Sequence, residues 1–374
     1  MKIAQFRLDR WLNEHQFATP PIEFDLAAST GPKWTWGELV SRLVPDAFGQ
    51  MHDRAVFYAP AAGSWSLRES IAEMAGVSPD EVIVVTGASE ALWMLMLVAA
   101  QPGGNVLLPD PGFPTFDEIP RHLGLEARHY YVRPSAQNAI DLDEVAACID
   151  DRTVLVIVNT PHNPTGAVVP DSQLRQLHDL AADRGTQLVV DQVYHPIYHG
   201  LAAASAAPLP AATTVGDLSK ALCLSGLRVG WITDHDPARI EQYEDARSYL
   251  TISSSPITEL FAEAAIRGRD TILARARSVT QQNLATLDRF FDANAEQLGW
   301  TRPTGGLTAF PWLRSGEDAR PLCVDAAAAG VLVAPGDCFG MPSHFRLGFG
   351  AAEHGFAEAV ARLERVLQTF PAGT

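Results

Sequence analysis

The sequence predicts an α/β protein, with a mostly parallel seven-stranded sheet covered by helices on both faces and a smaller α+β domain after it. The first observation behind this is the alternation, from Val82 to about Ile232, of short β-branched runs with helical segments. The second is length, because 374 residues exceed the ~250–300 at which a single hydrophobic core stops growing. The third is a change of pattern after Asp234, where long helical stretches give way to a few short strands and a last helix.

Residues 1–45 open with an amphipathic segment (Phe6, Leu8, Trp11, Leu12) and continue as an irregular stretch broken by Gly31 and Pro32. They read as an arm that joins the small domain. The large domain is expected at 46–250, with strands at 82–85, 105–108, 128–132, 153–158, 187–191, 212–215 and 229–233. Helices at 236–249 and 257–298 lead into the small domain, 251–374, whose strands begin at GGLTAF (305–310), VLVAP (331–335) and FRLGF (345–349), before a helix near 355–369. The Ala/Pro-rich 201–212 reads as a surface loop.

Composition narrows the function classes. A formal charge of −16 argues against nucleic acid or an anionic membrane as partner, since both require a basic face. Hydrophobic content of 47% with 19% charged residues is that of an ordinary globular chain. The four cysteines (Cys148, Cys223, Cys323, Cys338) form no CxxC pair, which points to a reducing cytoplasm. The opening MKIAQFRLDRW meets charge too early for an export signal, and the apolar run 91–100 falls short of the ~20 residues that span a bilayer. His195 and His199 supply two metal ligands without a third, so no metal is expected.

Lysine is scarce here, with Lys220 one of three in a chain otherwise charged by arginine. An amine can be deprotonated by local desolvation and attack a carbonyl, whereas a guanidinium stays charged. Lys220 lies among small and apolar neighbours, with Gly226 and Gly230 bracketing Arg228. Upstream, Thr86-Gly87-Ala88-Ser89 joins a strand to an apolar helix, where backbone N–H groups and the helix dipole favour an anion. On residues alone that turn reads first as ordinary, with Ser89 its cap. Asp191 ends a buried strand, which is costly for a carboxylate without a positive partner.

The order S-K-x(5)-G-x-R-x-G at 219–230, NTPHNPTG at 159–166, D-x-x-Y at 191–194 and PDPGFP at 109–114 resembles the pyridoxal phosphate enzymes of fold type I, the class I and II aminotransferases. The resemblance runs through residues 57–349. It implies that Lys220 holds the cofactor and Arg228 grips its phosphate together with Ala88, Ser89 and Ser219. It further implies that Phe113 stacks on the pyridine ring, that Asn163 and Tyr194 share the phenolic oxygen, and that Asp191 meets the ring nitrogen. Arg346, in FRLGF, would clamp the substrate α-carboxylate, with Asn163 and Gly31 beside it. Tyr58, in YAPAAG, would reach the neighbouring subunit's phosphate in a homodimer; on residues alone a core tyrosine fits it as well.

Three residues before Lys220 the family usually has serine or threonine on the phosphate, and here Asp217 stands. It is expected to point away. The expected activity moves an amino group between an L-amino acid and a 2-oxo acid, with neither nucleic acid nor membrane as partner. LDRWLNEHQF, RSYLTISSSP and TGGLTAFPWL also resemble a family member that cyclises a hydroxylated arginine, so β-elimination or cyclisation is the alternative. Trp34, Trp36 and Ser253–Ser255 are further candidates for the substrate pocket. A binding module fused to a DNA-reading segment is a poorer fit to an acidic chain of this size.

Overall fold

The computed structural model describes residues 3–45, 47–133, 140–200 and 202–370. Seven strands form one sheet in the spatial order Val82–Val85, Gly230–Thr233, Ala212–Asp217, Gln187–Asp191, Thr153–Asn159, Asn105–Asp110 and Glu126–Tyr131. Only Gly230–Thr233 runs antiparallel to its neighbours. The alternation of side chains along each strand serves two cores at once. Ile83, Val85, Leu155 and Ile157 enter the core beneath the helix Ala88–Ala99, while Val82, Val84, Val156 and Val158 face the cores on the opposite side.

Parallel register brings polar strand ends together. Asn159 pairs with Asp191, Asp191 pairs with Val215, and the strand of Val215 runs two residues further to Asp217. Asn159, Asp191 and Asp217 therefore end three adjacent strands at the carboxyl edge, where open α/β sheets take their ligands.

A separate core holds the later part of the chain. The strand Phe345–Gly348 lies between Thr308–Ala309 and Ala334–Pro335, with the helix Phe356–Thr369 packed nearby. The arm enters this core: Leu8 and Trp11 of the helix Arg7–Gln16 are buried in it, Trp11 Nε1 donates to the Val333 carbonyl at 2.9 Å, and Phe24–Asp25 pairs in parallel with Val331–Leu332.

Three expectations need correction. The helical stretch expected at 257–298 is two helices, Pro256–Arg267 and Arg269–Ala293, divided at Gly268. The division between cores also falls later than residue 250. Phe261, Ala265, Ile272 and Ala276 pack with the sheet, whereas Leu284, Leu287 and Phe291 pack with the smaller core. One continuous helix crosses between them, so no break in pattern marks the passage. The loop expected at 201–212 begins at Leu201, which lies outside the described residues, and its Ala206 and Ala207 are buried rather than on the surface.

Truncating the arm's anchor should loosen the smaller core. Trp11→Ala is expected to cost about 3–5 kcal/mol, with Trp11→Phe retaining most of the packing, as read from denaturation midpoints.

Candidate active site

The strand ends, the turn after Asn159 and the segment after Asp217 form an open cleft, about 690 Å³ when the space continuous with solvent is included. Ala88, Ser89, Phe113, Asn163, Asp191, Tyr194, Ser219, Lys220 and Arg228 line it. Segments more than a hundred residues apart in sequence thus meet in one place.

At one end stands an anion cup. Gly87 caps the helix Ala88–Ala99 with φ +78°. A Cβ there would strike the Arg228 guanidinium, so the position requires glycine on two counts. Ala88 and Ser89 are then the first two helical residues, with the cap at Gly87 rather than Ser89. Arg228 Nη1 donates to Ser219 Oγ at 3.2 Å and to the Ser225 carbonyl at 3.1 Å, and Nη2 reaches the Thr86 carbonyl at 3.5 Å, which leaves Nε and one Nη2 hydrogen for the cup. A helix N-terminus with an arginine fork opposite it is suited to a phosphate.

At the other end lies Asp191. Its Oδ1 accepts from the Val193 N–H at 3.1 Å, and its carbonyl accepts from Thr160 N–H and Asn159 Nδ2. Burial pushes its carboxyl up to about 7; the Val193 contact opposes this, the nearby Asp217 adds to it, and Lys220 lowers it. Such a group lacks a cation and would gain one from a protonated ring nitrogen.

Between these ends, Lys220 Nζ donates to Ser29 Oγ at 3.0 Å and lies 6.0 Å from the Tyr194 ring centre. The buried Tyr194 hydroxyl has no hydrogen-bond partner among the described residues. Asn163 donates its N–H to Asn159 Oδ1 at 2.7 Å and accepts from Arg346 Nη1 at 3.1 Å. With Oδ1 engaged, its Nδ2 is the group left for a ligand oxygen. Arg346 is 1% exposed; Nη2 donates to the Ala27 carbonyl at 2.8 Å and Nε has no partner among the described residues. No carboxylate pairs with it among the described residues, and burial lowers its proton affinity. Gly31 packs so close to Cys223 that a Cβ would collide with the sulfur, and it sits beside the Lys220 carbonyl.

Other expected residues lie elsewhere. Tyr58 is 68% exposed and lines no part of this cleft. Trp34 stacks between Arg42 and Arg275, Trp36 packs on Phe261, and Ser254 accepts from buried Arg247, so none of these candidates lines it either. His195 engages the Tyr198 hydroxyl at 2.6 Å, and His199 pairs with the Gly306 carbonyl. Asp217 does not turn away: it lines the cleft, with Oδ1 accepting from the Ser219 N–H at 2.9 Å. This contact closes a local turn, and the residue also lines a second cavity behind the cleft. Ser29 and Asn159 went unassigned in the sequence. Asn159 opens a motif already visible there, whereas Ser29 lies in an irregular stretch with no signal of its own.

The model for the family described as aminotransferase class I and II matches residues 40–363. Capreomycidine synthase of Streptomyces vinaceus is 31% identical over 373 residues, covering 98% of this chain and 94% of that protein. The aspartate/prephenate aminotransferase of Thermus thermophilus is 30% identical, covering 83% of each. Among solved structures, a PLP-dependent aminotransferase from Streptococcus suis superposes with a TM-score of 0.92 over the whole of both chains at 24% identity. The PLP-dependent cyclase OrfR superposes with a TM-score of 0.90 at 28% identity, over 98% of each. The fold is therefore that of fold type I.

The side chains fit pyridoxal 5′-phosphate. The uncompensated Asp191 carboxyl, the unpartnered Tyr194 hydroxyl and the free donors of Arg228 occupy the places at which a ring nitrogen, a phenolic oxygen and a phosphate would need them.

The raised affinity of Asp191 for its proton has a measurable effect without any ligand. The folded value lies above the ordinary ~4, so stability falls as pH rises from ~4 through about 7. The penalty is at most roughly 4 kcal/mol. Thermal midpoints of cofactor-free Asp191→Asn should exceed wild type by more at pH 8 than at pH 5. An equal gap at both would show that the buried carboxyl does not titrate in this range.

Proposed function

Since the chain belongs to the class I and II aminotransferase family, whose cofactor is pyridoxal 5′-phosphate, we propose that it is a transaminase exchanging an amino group between an L-amino acid and a 2-oxo acid. The observation that carries this reading is a buried guanidinium without a carboxylate, Arg346, whose Nη1 donates to Asn163 in the wall of the cleft that also holds Lys220. When bound, the cofactor supplies an electron sink that stabilises negative charge at the substrate Cα.

The chain's own residues do the rest. Arg346 takes the α-carboxylate bidentately and fixes the orientation of the Cα–H bond, with Gly31 allowing close approach. Lys220 Nζ would hold the cofactor and, as a free amine, is the base that takes the proton from the substrate Cα. Asp191 would hold a proton at the ring nitrogen, and Tyr194 and Asn163 would donate to the phenolic oxygen. Ser89, Ser219 and Arg228 would hold the phosphate.

Capreomycidine synthase aligns with 98% of the chain, and this favours a second reading, a lyase or cyclase on a hydroxylated arginine. The same residues would serve, with a leaving group lost from the side chain. Incubation with amino acids and 2-oxo acids distinguishes the two: a new amino acid supports transamination, and ammonia or a cyclised product supports the alternative. Borohydride reduction followed by peptide mapping should label Lys220. Label on Lys33, or on Lys2 outside the described residues, would overturn the assignment.

The working unit in this reading is a cytoplasmic homodimer. Four cysteines without a disulfide are consistent with that compartment, and among the described residues no helix is long and apolar enough to cross a membrane. Val56, Phe57, Tyr58, Trp93, Tyr249 and Ile252 are large and exposed. Arg247 donates to the Ala61 carbonyl and Thr251 to Glu90, which ties their three segments into one apolar face. A face of this kind is suited to a two-fold partner, and Tyr58 would then complete the partner's site. Inactive Lys220→Ala mixed with impaired Tyr58→Ala should regain activity, because one hybrid site holds both intact residues. Heterodimers no more active than their parents would rule out a role in trans.

A further inference from the structure

We propose that Asp217 sets the charge of the phosphate cup and makes cofactor loading proton-linked, so that the phosphate group is bound with one proton retained. Asp217 ends the strand Ala212–Asp217 and is 7% exposed, yet no cation lies within ion-pair distance among the described residues. Its Oδ1 is used by the Ser219 N–H, and Ser219 Oγ in turn accepts from Arg228. The carboxylate is thus built into the turn that shapes the cup.

The groups that face it are of both signs, and none forms an ion pair with it among the described residues. From the adjacent strand comes Asp191, another carboxyl, which Asp217 helps to keep protonated. From its own loop come Lys220 and Arg228. Behind it lies a second cavity of about 740 Å³, whose walls bring His195, Gln192, Thr214, Trp231 and Arg269 to the same residue. Burial pushes His195 down to about 4, so it is neutral. The Arg269 guanidinium is engaged with the Ile266 carbonyl.

With Lys220 committed to the cofactor carbonyl, Arg228 and the helix terminus would be the groups facing the phosphate. A phosphate dianion beside an ionised Asp217 then brings two like-charged groups into a half-enclosed space. One proton on the phosphate eases the conflict. The second ionisation of a phosphate monoester lies near ~6, so the proton is free of cost below that pH and increasingly expensive above it.

The test is titration of cofactor-free wild type, D217N and D217S with pyridoxal phosphate from pH 6.5 to 8.5, followed by absorbance. D217N removes the charge and keeps an acceptor for the Ser219 N–H. The Lys220 chemistry is common to all three proteins and cancels in ratios. The ratio of the wild-type Kd to that of D217N should rise about tenfold per pH unit above ~6, with D217S following it. With pyridoxal, which lacks the phosphate, the ratio should not change with pH. A flat ratio with pyridoxal phosphate overturns the proposal, as does an equal slope with pyridoxal, which would trace the effect to Asp191. Variants that bind more weakly by the same factor at every pH also overturn it, since Asp217 would then only shape the turn. Wild type that takes up no cofactor at any pH overturns it together with the reading of the site.

Discussion

The hydrogen bond from Arg346 to Asn163 is the contact on which the rest of the structure turns. It joins a strand of the smaller core to the turn that leaves the sheet, and the same guanidinium donates to Ala27 of the arm. Three parts of the chain therefore close on one cation that has no carboxylate among the described residues. Burying such a charge is costly unless it is paired. The fold keeps the cost, and so keeps an unsatisfied attraction for a carboxylate at the place where the two cores meet.

A complementary frustration lies across the cleft. Asp191 is an acid held where ionisation is opposed by burial and by its neighbour Asp217. Neither feature is a defect of packing: the parallel register that sets Asn159 beside Asp191 dictates that polar strand ends converge. In the proposed reading, a carboxylate and a protonated ring held in this cleft would relieve both strains together.

Much of this was legible in the sequence, and the reasons differ by residue. The seven strands announce themselves because a sheet buried on both faces needs continuous β-branched runs, as in VIVV and TVLVIV. Asp191, Asn163, Lys220 and Arg228 were readable because each lies in a local motif whose chemistry constrains its neighbours. Ser29 was not, since its contact with Lys220 spans 191 positions and nothing local prepares it. The orientation of Asp217 was misread for a related reason. Electrostatic repulsion suggested that it turns away, but the nearby Ser219 N–H offers a hydrogen bond two residues on, and that local bond prevails. The passage between cores escaped notice because a helix carries no mark of which core it serves.

The helix Arg269–Ala293 spans about 37 Å at 1.5 Å per residue, and the arm reaches the smaller core by pairing Phe24–Asp25 with Val331–Leu332. These facts bear on how the molecule divides as an inherited and engineerable object. Its smaller module is discontinuous in sequence, assembled from the two ends of the chain with the sheet inserted between them. A recombinant that exchanges the C-terminal third alone would separate Val331 from Phe24 and Arg346 from Ala27. A compatible exchange carries both ends together and places its junction within the long helix, where the backbone is regular and either core can accept the splice.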